Sequence, residues 1–237
     1  MSGETGPTAY SVAGHYDDRY FADLAARYRK RNRFARTRIG NVFAILPPVR
    51  GRTVLDLGCG MGTFTIETAR GGARAVGIDP AAAALEAARR VAAAEGVGAS
   101  FVRGDAAELP VAGDSADVVL AADLVEHLDD VTLARILGEA RRVLREGGRL
   151  VIYTPSRSHL FERLRLAGVM PEDPSHIGLR TEAQLTAALA AAGFQVESSR
   201  FLPSHLPGWN VLEKLLSKRV PLLRRRVGLV AREVAGG

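Results

Sequence analysis

The residues best placed to do chemistry form a glycine-rich turn about a quarter of the way along the chain. Asp56 lies near the end of a short apolar run, and glycines follow at alternate positions, Gly58, Gly60 and Gly62. Such a turn lets a ligand approach bare backbone N–H groups at the start of a helix. The dinucleotide fingerprint G-x-G-x-x-G would need glycine at 63, where this chain has Thr63. The spacing therefore predicts a ligand-binding turn of a different pattern.

Three further acids lie at the ends of predicted strands. Asp79 ends the second strand, 19 residues after Gly60, and Asp105 and Asp123 close the third and fourth. A carboxylate at the end of the second strand can accept both hydroxyl donors of a ribose. Because ligands of open α/β sheets bind outside the carboxyl ends of the strands, the four positions suit one ligand. The sequence therefore predicts a nucleoside cofactor.

From residue 53 onward, predicted strands alternate with predicted helices, and these elements carry the glycine turn and the acids. Short aliphatic runs separated by alanine-rich or amphipathic stretches are typical of βαβ units and a mainly parallel sheet. Strands are predicted at 53–57, 74–79, 99–103, 116–121, 149–154, 194–201 and 227–233. Helices are predicted at 62–70, 81–95, 130–146 and 181–192, with helix stops at Gly147, Gly148 and Gly193. The predicted fold class is therefore α/β.

The acid followed by G-x-G-x-G resembles motif I of the class I S-adenosylmethionine-dependent methyltransferases, and the resemblance covers about residues 53–233. It implies a Rossmann-like, doubly wound, mainly parallel seven-stranded sheet with a late antiparallel strand. It also implies S-adenosylmethionine as cofactor and S-adenosylhomocysteine as product. Residues after the third strand would meet adenine, and those after the fourth would line the methionine end. The cofactor-binding residues implied are Asp56, Gly58, Cys59, Gly60, Gly62, Asp79, Pro80, Asp105, Ala106, Ala122 and Asp123.

Two segments, 123–128 and 175–182, resemble small-molecule enzymes related to the ubiquinone-biosynthesis O-methyltransferases. In some of those enzymes an acid-x-x-Glu-His pattern is linked to a divalent metal, which would here involve Asp123, Glu126 and His127. Glu-His also occurs in relatives with no metal role, and Asp replaces the longer Glu at the first position. No residue is therefore assigned as a metal ligand, and the use of a metal stays open.

The reaction implied is methyl transfer to a small, partly apolar acceptor, at oxygen in preference to nitrogen or carbon. His127 and His176 are the candidate catalytic bases, because an unperturbed imidazole titrates near neutrality and both segments are expected to face the pocket. The alternative for each is a surface or helix-capping histidine.

Two motifs of other methyltransferases are missing from the sequence. The Asn/Asp-Pro-Pro-Tyr/Phe motif of amino-methylating DNA and protein enzymes is replaced by Ala121 to Leu124 after the fourth strand. Methylation of pyrimidine carbon 5 needs a cysteine nucleophile in a catalytic loop, and the only cysteine, Cys59, lies in the glycine turn. Both classes are therefore disfavoured, and Cys59 is expected only to pack.

The chain is expected to divide into an N-terminal helical cap, 1–46, and a methyltransferase domain, 47–237, with a lid insertion at about 155–180. The cap is rich in aromatic and basic residues, and the alternative is a helix that simply packs on the sheet. Segment 209–226 combines leucines with basic residues. It is expected either to cover the sheet as a crossover helix or to rest on an anionic membrane surface.

The net charge of +6 invites a nucleic-acid partner, but it is unevenly placed. Residues 1–50 carry +5 and residues 200–237 carry +6, whereas the middle of the chain carries −5. A small-molecule acceptor is therefore favoured, and the alternatives are an RNA methyltransferase that uses the basic flanks or a nucleotide-binding protein without catalysis. The sequence has no apolar run of the roughly 20 residues that span a bilayer, and its start lacks a signal-peptide pattern. A cytoplasmic protein is expected.

Overall fold

The computed structural model describes residues 28, 30, 32–171 and 173–234. Within the predicted cap it shows helix α1, Arg33–Phe43, which begins after Asn32, whose side chain accepts the Ala35 N–H. Residues 1–27 of the predicted cap lie outside the described residues, so the division of the chain at residue 46 stays a prediction.

A seven-stranded sheet forms the centre of the protein, in the order β3-β2-β1-β4-β5-β7-β6. Strands β1 to β5 are parallel, and β7 runs antiparallel to both β5 and β6. The predicted mainly parallel sheet with a late antiparallel strand is confirmed. The strands are β1 Thr53–Leu57, β2 Arg74–Asp79, β3 Ser100–Arg103, β4 Ala116–Ala122, β5 Leu144–Pro155, β6 Phe194–Leu202 and β7 Arg226–Glu233.

Helices cover both faces of this sheet, because the buried strands carry apolar side chains in both directions. In β1, Leu55 packs in the cluster that contains residues of α4 and α6, whereas Val54 packs with residues of α1 and α2. The helices after α1 are α2 Thr63–Arg70, α3 Ala82–Ala94, α4 Asp130–Val143, α5 Leu160–Leu166, α6 Glu182–Ala191 and α7 Trp209–Leu216. Two 3-10 turns, Val125–His127 and Pro221–Leu223, complete the described elements.

The boundary between α4 and β5 differs from the sequence prediction. The helix predicted to run to 146 ends at Val143, and the glycines at 147 and 148 lie inside β5 instead of ending the helix. Leu144 is buried in the core and pairs with Ala116, after which the register shifts and resumes at Arg149 opposite Val118. The glycines therefore accommodate an irregularity in the strand, where Gly147 takes a φ of 74°.

The segment 209–226 contains α7 and the 3-10 turn that begins at Pro221. That this segment covers the sheet as a crossover helix stays a prediction; of its leucines, Leu212, Leu215 and Leu216 are exposed. In the part of the chain that is described, no helix is long and apolar enough to cross a membrane.

Candidate active site

The glycine turn between β1 and α2 has the conformation that its sequence predicts. Gly58, Gly60 and Gly62 have φ values of 63°, 52° and 79°, which side chains rarely tolerate. A Cβ at Gly58 or Gly62 would collide with Leu124 or Phe101, whereas a Cβ at Gly60 would meet nothing within 4 Å. The open space at Gly60 is a cradle that a ligand can enter.

Asp56 fixes this turn to the helix that follows. Its carboxylate is buried, and its Oδ2 accepts the Thr65 hydroxyl at 2.6 Å. Burial raises the pKa of Asp56 to about 7, and the Thr65 hydrogen bond offsets part of that rise. A direct contact between Asp56 and a cofactor stays a prediction, because the carboxylate points into the protein interior.

Asp79 ends β2 beside the same turn. Its Oδ2 accepts the Gly60 N–H at 2.8 Å, and its Oδ1 accepts the Ala81 N–H at 2.9 Å. Burial raises the pKa of this carboxyl above its ordinary value. Each carboxylate oxygen can accept a further hydrogen bond, so Asp79 can still receive ribose hydroxyls. Pro80 accepts the Arg103 Nε–H through its carbonyl at 3.0 Å.

Cys59 packs inside the turn. Its Sγ would lie 2.7 Å from a Cβ at Gly77, so the neighbouring strand must carry glycine there. Burial, together with the nearby Asp56 and Asp79, raises the pKa of the thiol well above its ordinary value. A protonated, buried thiol is a poor nucleophile, which agrees with a packing role.

The third strand end places Asp105 two residues beyond Arg103, which pairs in register with Asp79. Asp105 accepts the Ala107 N–H through Oδ1 at 2.8 Å, and Ala106 is buried in the core. Contact of these residues with adenine stays a prediction.

Asp123, directly after β4, lies between two arginines. Ala122 before it is buried, and Asp123 has a φ of 55°, which is unusual for a residue with a side chain. Its Oδ2 accepts a hydrogen bond from Arg38 of α1, and its Oδ1 accepts one from Arg226 of β7. Burial acts to raise the pKa of Asp123, but Arg226 and Arg38 outweigh it and hold the pKa below its ordinary value. Asp123 is therefore ionised, and its two ion pairs join the loop after β4 to α1 and to β7.

Arg38 also packs against aromatic rings. Its guanidinium carbon lies 5.3 Å from the centre of the Phe34 ring and 5.2 Å from that of Phe64. Its Nε is buried and has no hydrogen-bond partner among the described residues. Arg226 similarly lies over Tyr153, 5.2 Å from the ring centre.

The two predicted histidines lie side by side. The ring centres of His127 and His176 are 5.2 Å apart, and His127 Nδ1 is 2.9 Å from the Ser175 carbonyl. The carbonyl can only accept a hydrogen bond, so this contact places a proton on Nδ1. In the neutral ring, Nε2 then carries a lone pair that can accept a proton. Burial lowers the pKa of His176, whose Nδ1 has no hydrogen-bond partner among the described residues.

Arg180 fastens the segment that carries His176, within the predicted lid insertion, to the loop after β4. Its guanidinium donates to the carbonyls of Val125 and Leu128 and forms an ion pair with Asp130. The Gly178 N–H adds a hydrogen bond of 2.8 Å to the Glu126 carbonyl. These contacts bring His176 to His127 across 49 residues of sequence.

Glu126 completes this group as a buried carboxyl. Its Oε2 accepts the Thr154 hydroxyl at 2.9 Å, and burial, then the charge of Asp123, raises its pKa. Donor atoms of Glu126, His127 and His176 lie within 4.8 Å of one another. A carboxylate with two imidazoles could chelate a transition metal ion, with His176 taking the place of Asp123 in the set suggested by the sequence.

Local sequence reasoning missed Arg38, Arg226 and Arg180. Arg38 and Arg226 lie 85 and 103 residues from the Asp123 that they contact. Both lie in the basic ends of the chain, residues 1–50 and 200–237. Because arginines are numerous there, the sequence does not distinguish the buried ones from the exposed ones.

Residues 54–148 match a family model described as a methyltransferase domain. The ubiquinone biosynthesis O-methyltransferase of Azorhizobium caulinodans is 35% identical over 158 residues, which cover 64% of this chain and 62% of that protein. The matched segment thus spans less than two thirds of the length of this curated relative.

Solved structures show the same fold. A phosphoethanolamine N-methyltransferase of Haemonchus contortus, in complex with phosphoethanolamine and S-adenosylhomocysteine, has a TM-score of 0.68 at 21% identity, covering 95% of this chain and 52% of that one. A SAM-dependent methyltransferase from Aquifex aeolicus has a TM-score of 0.67 at 16% identity, covering 92% and 100%. Together with the glycine turn and the strand-end acids, the family model and these relatives support a class I S-adenosylmethionine-dependent methyltransferase.

Proposed function

We propose that this chain transfers the methyl group of S-adenosylmethionine to an oxygen of a small, partly apolar acceptor. The observation that carries the proposal is the common edge formed by the ends of β1, β2, β3 and β4. These four strands are adjacent and parallel, so the glycine turn, Asp79, Asp105 and Asp123 follow one another along that edge. The preference for oxygen rests on the O-methyltransferase of Azorhizobium caulinodans.

The turn and Asp79 would hold the cofactor. Open space at Gly60 lets the ligand approach the backbone, while Asp79 presents carboxylate oxygens to ribose hydroxyls directly beside it. Asp105 and Ala106 are proposed for the adenine, and Ala122 and Asp123 for the methionine end.

The chemical step is an in-line displacement that needs no added reactant beyond cofactor and acceptor. The bond from the methyl carbon to sulfur breaks while a bond to the acceptor oxygen forms, and the sulfonium becomes a neutral thioether. The acceptor's hydroxyl proton passes to His127 or His176, whose rings lie side by side. The protein contributes orientation of the two reactants and a base within reach of the acceptor.

Incubation with S-adenosylmethionine labelled in its methyl group tests the proposal directly. A panel of phenols, catechols, amines and short RNA is scored for label, with cofactor binding measured in parallel. Label on a phenolic or catechol oxygen is the expected result. Cofactor binding without label on any acceptor would indicate a binding protein, and label only on RNA, lost steeply as salt rises, would indicate the RNA alternative.

The contacts of the basic flanks favour the small acceptor over RNA. Arg38 and Arg226 are engaged by Asp123, and Arg225 pairs with the buried Glu162 at 3.1 Å. These three cations are therefore committed to the protein interior and offer less charge to a phosphate backbone than the sequence count suggests.

A further inference from the structure

Helix α7 is amphipathic, but it turns its polar face toward the protein and its apolar face toward solvent. Its acidic Glu213 is 1% exposed and Ser217, just after the helix, is also buried, whereas Val211, Leu212, Leu215 and Leu216 are 53%, 44%, 72% and 40% exposed. A helix on a sheet normally turns its apolar stripe toward the core. The outer face of α7, defined here as these four apolar residues, is therefore turned to solvent.

These four residues form one continuous stripe. At 3.6 residues per turn, each residue advances about 100°, so they span an arc of about 140°. Glu213 and Ser217 fall on the opposite side of the same helix, facing the protein.

Specific contacts hold α7 in this orientation. Glu213 Oε2 accepts the Ser204 N–H at 2.5 Å, and Glu213 Oε1 lies 3.3 Å from Nε2 of the fully buried His159. Trp209 stacks on Phe161 of α5 with ring centres 5.8 Å apart. Rotating the leucines inward would break these contacts, so the outward apolar face is fixed by the fold.

Cations border this face. Lys214 and Lys218 lie beside the stripe, and Arg219 directly follows Lys218. None of the three forms an ion pair with an acid in the described ranges, and all three are exposed. An exposed apolar stripe edged by unpaired positive charge is complementary to a lipid surface with anionic headgroups.

We propose that the outer face of α7 binds the surface of an anionic lipid bilayer, with the helix lying parallel to the membrane plane. The helix is eight residues long and ends before Pro221, which suits contact with the interface and is far too short for spanning. Pairing of this face with a second copy is disfavoured, because it would bring Lys214, Lys218 and Arg219 of both copies together. The proposal does not depend on the methyl-transfer activity.

Co-sedimentation of the full chain with vesicles tests this interface. Vesicles of phosphatidylcholine alone are compared with vesicles that contain equal parts of phosphatidylcholine and phosphatidylglycerol. The wild-type chain is expected to bind the anionic vesicles and to dissociate as salt rises, because screening weakens the attraction. Failure to bind anionic vesicles, or equal binding to both compositions at every salt concentration, overturns the proposal.

Variants locate the contact on α7. Leu215→Ser is expected to weaken vesicle binding about tenfold, since it removes one apolar side chain from the interface. Val131→Ser is the matched control, because Val131 of α4 is 73% exposed and lies outside the proposed face. Its binding is expected to equal that of wild type.

The charge arm uses the double variant Lys214→Gln, Lys218→Gln. Its binding to anionic vesicles is expected to fall at least tenfold at low salt and to respond less to added salt. Sedimentation velocity without lipid is run on every variant. If Leu215→Ser splits a dimer while leaving vesicle binding unchanged, the face is an interface between copies and the lipid proposal is wrong.

Discussion

Replacing Asp56 by Asn should remove a specific dependence of folding stability on pH. The Asp56 carboxyl is fully buried and its pKa rises from 3.8 to about 7, so the folded chain keeps a proton that the unfolded chain releases. A carboxyl with a raised pKa contributes its stabilisation below the unfolded value and loses it as pH rises toward the folded value. The folded chain therefore loses stability as the pH rises from 3.8 to about 7.

The size of this loss follows from the shift. A change of about three units at 1.36 kcal/mol per unit gives about 4 kcal/mol across the window. Asn keeps an oxygen that can accept the Thr65 hydroxyl and has no proton to release. The free energy of unfolding of wild type minus that of Asp56→Asn should therefore fall by about 4 kcal/mol as pH rises from about 4 to about 7.

Urea unfolding followed by circular dichroism across this pH range measures the difference. Asp117→Asn is the control of opposite sign. Burial would raise the pKa of Asp117, but hydrogen bonds from the Thr53 N–H and Arg145 hold it below its ordinary value. Its stabilisation is present above the ordinary value and is lost as pH falls. A wild-type minus Asp56→Asn difference that stays flat with pH would refute the buried, protonated Asp56.

Three further predictions concern the site. Asp79→Asn is expected to weaken S-adenosylmethionine binding at least tenfold in calorimetry. The reason is that each hydrogen bond to a charged group contributes about 1.5–3 kcal/mol. An unchanged Kd would show that Asp79 does not bind the ribose. His127→Gln and His176→Gln, assayed with saturating cofactor, should show which one is the base by a loss in kcat of about 100-fold or more with the cofactor Kd unchanged. Equal rates in both variants and wild type would exclude a base role, and loss of wild-type turnover with a chelator would favour the metal set. Arg226→Met leaves Asp123 one buried partner short and should cost about 3–5 kcal/mol of unfolding free energy; a change below 1 kcal/mol would contradict the ion pair.

Local sequence patterns were sufficient for the glycine turn and the sheet that carries it. Alternating glycines after a strand need positive φ, and the structure has those angles at Gly58, Gly60 and Gly62. Asp79 reaches Gly60 because both lie at the ends of adjacent parallel strands, a consequence of βαβ connection that spacing alone predicts.

Long-range contacts were beyond the same reasoning. The pairing of Asp123 with Arg38 and Arg226 depends on where α1 and β7 pack, and no periodicity encodes it. The start of β5 at Leu144 was not predicted, because a pair of glycines such as Gly147 and Gly148 can either end a helix or lie in a strand irregularity. The sequence shows that segment 209–226 combines leucines with basic residues, but the orientation of α7 depends on the buried contacts of Glu213 with Ser204 and His159.

Calorimetric titration of the chain with S-adenosylmethionine and, separately, with NAD shows which nucleoside cofactor the glycine turn binds. We expect binding of S-adenosylmethionine with one site per chain, competition by S-adenosylhomocysteine and no heat of binding for NAD. Saturable binding of NAD, with none of S-adenosylmethionine, would contradict the assignment of the glycine turn and the strand-end acids to this cofactor.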